Sequence, residues 1–160
     1  MALRPAGQLL AAALAVLDAE RVRLTALGVP GELVLVGGSS VPGALTHGDV
    51  DLHLRVPEPE FAAAVAALGK EYPVVHPEIW SATLATFTVP HQATTDPPTG
   101  LAVTPEGSEH DLRFTRSWQR LRADPRLVEQ YNAMKLAGDG PDGADYEARK
   151  SAFFDRLLRD

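Results

Sequence analysis

The chain contains no cysteine, which excludes a disulfide framework, a thiolate nucleophile and a cysteine-ligated zinc site. Basic residues are scarce as well: 15 Lys and Arg stand against 21 Asp and Glu, a formal net charge of -6. That balance speaks against general nucleic-acid coating and leaves room for small phosphorylated ligands carried with a divalent cation. Long apolar runs are missing. Residues 9–17 form an apolar stretch too short to cross a bilayer, and Arg4 is the one basic residue ahead of it. No membrane association is expected, and a cytoplasmic protein is the default expectation. The five histidines, His47, His53, His76, His91 and His110, are too scattered for a zinc motif.

What is present suffices for a globular core. With 160 residues, 45% of them hydrophobic, the chain is expected to form one domain over 1–160, its core at about 28–105 and helices at about 108–160. Leu9, Leu10, Ala13, Leu14 and Leu17 recur at helical spacing and predict a helix over 6–27, stopped by Gly28 and Pro30. The run 32–36 predicts a short buried strand, and strict alternation predicts another over 49–56. A proline and acidic first turn opens a helix at 57–68. Strands are expected near 72–75, 81–89 and 101–104, with a loop over 91–100. Three helices follow, over 108–123, 124–137 and from 145 onward, the last two separated by the glycine-rich turn 138–143. The overall expectation is an α/β (α+β) fold.

Chemistry concentrates where a strand end meets two acids. Gly37-Gly38-Ser39-Ser40 follows the first strand, and Asp49-Val50-Asp51-Leu52 opens the second. A glycine turn at the carboxyl end of a strand allows backbone N–H groups to approach an anion, and the serine hydroxyls add hydrogen bonds. Asp49, Asp51, His53 and Arg55 share one face of the second strand, so the two aspartates point the same way. Such a pair suits Mg2+ in phosphoryl or nucleotidyl transfer. The plain alternative is an antiparallel strand with one solvated face.

Gly37-Gly38, ten further residues and Asp49-Val50-Asp51-Leu52 resemble the signature of the nucleotidyltransferase superfamily. Gly37-Gly38-Ser39-Ser40-Val41-Pro42-Gly43 is similar to an element of the GrpB family. Arg122-Ala123-Asp124-Pro125, Tyr131 with Lys135, and Tyr146 with Lys150-Ser151-Ala152-Phe153 agree with that family in order. The resemblance implies a small mixed β-sheet flanked by helices, with a helical C-terminal part. It also implies Mg2+-dependent transfer of a nucleoside monophosphate from a nucleoside triphosphate (NTP) to an acceptor. In that scheme Asp49 and Asp51 are the catalytic and metal-holding residues. Gly37, Gly38, Ser39, Ser40, Lys135 and Lys150 bind phosphates. A third carboxylate is missing from 101–104, where Ala102 stands, and His47 replaces a lysine. A catalytically inactive module binding a nucleotide or a coenzyme A-like metabolite therefore stays open as the alternative, and an interaction domain with a docking helical tail is a third.

Other residues have structural rivals. Ser108 and Asp111 have capping-box spacing, which assigns Asp111 to a helix start rather than to a metal. Arg113, Arg116 and Arg120 form a stripe that either faces phosphates or is merely solvated. The tyrosine–lysine pairs at i, i+4 either converge on a ligand or snorkel over their rings. Trp80, Trp118, Phe153 and Phe154 are expected in the core.

Overall fold

In the computed structural model, residues 2–91, 93–137 and 144–159 are described. Helix α1 (Leu10–Ala26) turns Ala13, Leu17, Glu20 and Leu24 inward and ends where Gly28 takes a left-handed φ of 71°. Strand β2 (Glu32–Val36) follows, then a 3-10 turn over Gly38–Ser40. The two-residue strand β3 (Leu45–Thr46) pairs with β1 (Arg4–Pro5). Strand β4 (Val50–Val56) leads through a 3-10 turn at Glu58–Glu60 into helix α2 (Phe61–Leu68). Strands β5 (Ala85–Val89) and β6 (Thr99–Pro105) complete the sheet, and helices α3 (Glu109–Ala123), α4 (Pro125–Leu136) and α5 (Ala144–Arg159) close the fold.

The main sheet has the order β2-β4-β6-β5. Only β4 and β6 run parallel; β2 with β4 and β5 with β6 are antiparallel. Helices cover both faces. On one, Val50, Leu52, Leu54 and Val56 of β4 and Leu101 and Val103 of β6 meet α1 and α2 through Leu17, Leu24, Ala64 and Leu68. Full burial of each large aliphatic side chain stabilises by about 1.5–3 kcal/mol. On the other, Val36 and Val34 of β2 meet Trp118, Leu121, Val128, Tyr131, Phe153 and Phe154 of α3, α4 and α5. Trp118, Tyr131 and Phe154 lie edge-on or tilted to one another at 5.1–6.2 Å between ring centres, geometry that aromatic quadrupoles favour. Asp51, His53 and Arg55 lie on this second face, beneath the C-terminal helices.

Three expectations need correction. Residues 72–75 form no strand: Pro73 has no N–H to donate, and Val74 makes a single bridge to Phe87. Tyr72 turns inward instead, its hydroxyl donating to the buried Glu20 carboxylate at 2.5 Å. Residues 81–84 close their own turn, Ser81 N–H donating to the Leu84 carbonyl at 3.0 Å, so β5 starts only at Ala85. The loop expected over 91–100 ends early, because Thr99 and Gly100 already pair with Val50 and Asp51. The turn expected at 138–143 lies outside the described residues.

Candidate functional site at the head of strand β4

The backbone explains why Gly37 is glycine. Its φ is 75°, in the left-handed region, and a Cβ there would fall on the Asp51 carboxylate. At Gly38 a Cβ would lie 3.1 Å from Lys135 Nζ and 3.2 Å from the Tyr131 hydroxyl. The glycine pair thus lets the end of β2 tuck beneath an acid from β4 and a lysine from α4. The serines are set differently from the glycines. Ser40 directs both its N–H (3.1 Å) and its hydroxyl (2.7 Å) to the Gly37 carbonyl and accepts from Arg122 at 3.1 Å, so its hydroxyl is engaged in holding the turn. Ser39 is buried, and its hydroxyl has no hydrogen-bond partner among the described residues.

Two cavities meet at the acid pair. The larger, about 500 Å³, lies between α3 and α5 on one side and β4, β6 and β5 on the other. The smaller, about 170 Å³, is lined by Tyr131 and Lys135 of α4 and by Tyr146 and Lys150 of α5, with Gly38, Thr46 and His47. Gly37, Asp49, Asp51, Trp118 and Lys150 line both. Each tyrosine–lysine pair, one helical turn apart, therefore places its lysine beside the aspartates. Snorkelling is also present, since Lys135 Nζ sits 4.9 Å from the Tyr131 ring centre while donating to the Leu45 carbonyl at 3.0 Å.

The local charges are strained. Burial first, and the Asp49 carboxylate second, push Asp51 up to about 6, with Lys150 and Lys135 pulling the other way. Lys135 is brought down to about 8 by burial and then by the like charge of Lys150. Burial also raises the Tyr131 and Tyr146 hydroxyls.

The other end of the same polar face is closed. His53 is fully buried, donates or accepts at Thr104 Oγ1 (2.7 Å) through Nε2, and stands edge-on to Phe114. Burial lowers it to about 4, so it is neutral at ordinary pH. Arg55 grips Asp111 with two hydrogen bonds, 2.7 and 3.0 Å, and reaches Glu32 at 3.1 Å. The face is therefore not solvated, as the plain alternation allowed. Asp111 begins α3 as the capping spacing implies, its N–H donating to the Ser108 hydroxyl at 3.3 Å. Burial alone would raise its carboxyl, but bonds from Arg55 and the Gly107 N–H leave it below its ordinary value.

The arginine stripe does not face the cavities as a fork. Arg113 pairs with Asp155 at 2.8 Å, Arg120 donates to the Leu157 carbonyl, and Arg116 is exposed; the first two tie α3 to α5. Strand β6 places Gly100 beside Asp51 and Ala102 beside His53. Among the described residues no group of three or more His, Asp or Glu is placed to hold a metal ion. Sequence reasoning missed Phe114 and Ser117 of α3 and Thr86 and Thr88 of β5, all of which line the larger cavity. The available signal was Phe114, Ser117 and Trp118 at i, i+3, i+4, a spacing that predicts one shared helix face.

A mixed sheet with an acid pair at the head of a central strand, closed by C-terminal helices, is a nucleotidyltransferase-like fold. A crystal structure of the Cid1 poly(U) polymerase bound to MgGTP shares it, with a TM-score of 0.60 at 13% identity over 84% of this chain and 42% of that one. The crystal structure of conserved protein GrpB from Enterococcus faecalis superposes with a TM-score of 0.70 at 18% identity, covering 92% of this chain and 91% of that one. The GrpB protein family matches residues 13–160, and the chain belongs to that family. A UPF0157 protein of Vibrio cholerae is 30% identical over 129 residues, 77% of this chain. The match spans 63% of that curated relative's length.

Proposed function

We propose that this chain is a divalent-cation-dependent nucleotidyltransferase that moves a nucleoside monophosphate from an NTP to an acceptor. The observation that carries this reading is the convergence of Asp49, Asp51, Lys135 and Lys150 on one small polar cavity. The donor set fits Mg2+: two carboxylates offer hard oxygen ligands, and Asp51 carries a buried negative charge that a cation relieves. Asp49 and Asp51 would hold the ion, which when bound supplies charge neutralisation for the triphosphate. The remaining work belongs to the chain. Lys135 and Lys150 set ammonium groups against the β and γ phosphates, where negative charge builds as pyrophosphate leaves. Gly37 and Gly38 let the backbone come close, and Ser39 completes the turn that carries them. The ligand is a small phosphorylated molecule or NTP, and a cytoplasmic setting fits it.

One observation favours a second reading. No residue of β6 beside the pair is acidic, Gly100 and Ala102 occupying the register positions next to Asp51 and His53. A protein so built binds a nucleotide or a coenzyme A-like metabolite without turning it over.

Thermal shift with each of the four common NTPs, with and without Mg2+, tests the shared premise on wild type, Asp49→Asn and Asp51→Asn. Ligand at a hundred times Kd stabilises by about 2.7 kcal/mol, and that gain is expected to need both Mg2+ and both aspartates. Lack of any Mg2+-dependent gain with every NTP defeats the transferase reading. Pyrophosphate release then separates transferase from binder.

A further inference from the structure

A lysine that meets phosphate gains from being held before the ligand arrives, because its flexible four-carbon stem otherwise loses its rotamer freedom on binding. Lys135 reaches the smaller cavity from α4, and its Nζ donates to the Leu45 carbonyl at 3.0 Å. That carbonyl belongs to β3, a strand of two residues whose ladder partner is the equally short β1, too little sheet to fix its own position. The clamp on it comes from α4 itself. Asn132 Oδ1 accepts from the Leu45 N–H at 2.8 Å, and Asn132 Nδ2 donates to the Gly43 carbonyl at 2.9 Å. An N–H needs an acceptor and a carbonyl needs a donor, so both bonds form in only one orientation of the carboxamide. Leu45 is thus gripped through its N–H by Asn132 and through its C=O by Lys135, residues three apart on one face of α4.

The gripped turn leads straight to the acids. Thr46 Oγ1 accepts from the Gly48 N–H at 3.2 Å, and Asp49 follows, lining the same cavity as Lys135. A shift of this turn against α4 would therefore move two things together, the carbonyl that holds the ammonium and the backbone that enters Asp49. We infer that Asn132 is a positioning residue: it fastens turn 43–45 to α4 and so sets where the Lys135 ammonium stands relative to the acid pair. Asn132 itself lines neither cavity, so it acts through Lys135. The purpose of that placement, meeting the phosphates of an NTP, rests on the transferase reading.

A double-mutant cycle tests this, with Mg·ATP titrated calorimetrically into wild type, Asn132→Ala, Lys135→Gln and the double variant. Asn132→Ala is expected to weaken Mg·ATP about fivefold when Lys135 is present and less than about twofold in the Lys135→Gln background, the non-additivity of residues that act as a unit. Where wild type binds Mg·ATP, equal weakening in both backgrounds, or none in either, overturns the inference. A residue that merely braces the fold acts the same with or without the lysine. A second readout needs no ligand. An ammonium bonded to a carbonyl exchanges its protons slowly, so in protein labelled with 15N-lysine the Lys135 signal, assigned by its absence from Lys135→Gln, should be visible at pH 6 and lost in Asn132→Ala. Absence of that signal from wild type, or its persistence in Asn132→Ala, also overturns the inference. Should Asn132→Ala not fold, Asn132→Ser takes its place in both measurements. Failure of the transferase reading looks different: the Lys135 signal still depends on Asn132, but Mg·ATP binds to no variant.

Discussion

The two ends of the polar face of β4 carry the same kinds of residue in opposite states. At the far end Arg55, Asp111 and Glu32 form a connected ion-pair cluster, and His53 is held neutral against Thr104. At the near end Asp49 and Asp51 share a cavity, with Asp51 raised to about 6. The near-end acids sit in a cavity beside Lys135 and Lys150, whereas Arg55, four residues on, is matched by direct bonds; perturbed groups of the first kind cluster at functional sites.

Mutations at each end should separate the two states. The largest effect is expected from Asp111→Ala, which strips a fully buried partner from Arg55. Because Arg55 is partly exposed and keeps Glu32, the loss is expected to be about 1–3 kcal/mol, read as a lower urea midpoint, while any Mg·ATP-dependent stabilisation is kept. Asp51→Asn should act in the opposite sense. Each unit of pKa shift corresponds to about 1.4 kcal/mol, so with screening taken into account the variant should gain about 1–2 kcal/mol at pH 7.5 in chelator. It should also lose its response to Mg·ATP. A loss of stability instead would mean that the near end is as well matched as the far end. Lys135→Gln and Lys150→Gln should each weaken Mg·ATP roughly tenfold, a charged hydrogen bond being worth about 1.5–3 kcal/mol, measured by calorimetric titration.

The smallest effect is expected in the pH profile. His53 sits at about 4 in the fold against an ordinary 6.5. As pH falls between those values the unfolded chain takes up a proton that the folded one refuses, and stability drops. Asp51 sits at about 6 against an ordinary 3.8, so over nearly the same window the folded chain takes up the extra proton and stability rises. The two slopes oppose each other. Urea midpoints of the metal-free wild type should therefore change little between pH 4.5 and 6.5, whereas Asp51→Asn should expose the acid-side loss due to His53. A steep wild-type profile would show that the ends are not balanced.

Much of this was written in local pattern. A short apolar run disclosed β2, alternation disclosed β4, helical spacing and end signals disclosed α1 through α5, and the Gly37 to Asp51 stretch disclosed the acid pair. Alternation states which residues share a face but not what covers it, so the burial of His53 beneath α3 and the pairing of Arg55 with Asp111 of α3 were invisible. Asp111 looked like a cap because the cap is local, while its main partner, Arg55, is 56 positions away. The pairing of β1 with β3 rests on two residues each, below any periodic signal. The convergence of Lys135 and Lys150 was hinted at by their shared spacing from tyrosines, but only the docking of two helices made it one cavity.

Helix α5 supplies Tyr146, Lys150 and Phe154 to the cavities, and it follows every other element of the site in chain order. During synthesis the aspartates of β4 leave the ribosome about a hundred residues ahead of Lys150. At about 5–20 residues per second the nascent chain spends roughly 5–20 s with its carboxylates in place and the cationic wall not yet made. In that interval the emerging protein lacks one wall of the small cavity, which is completed only when α5 docks.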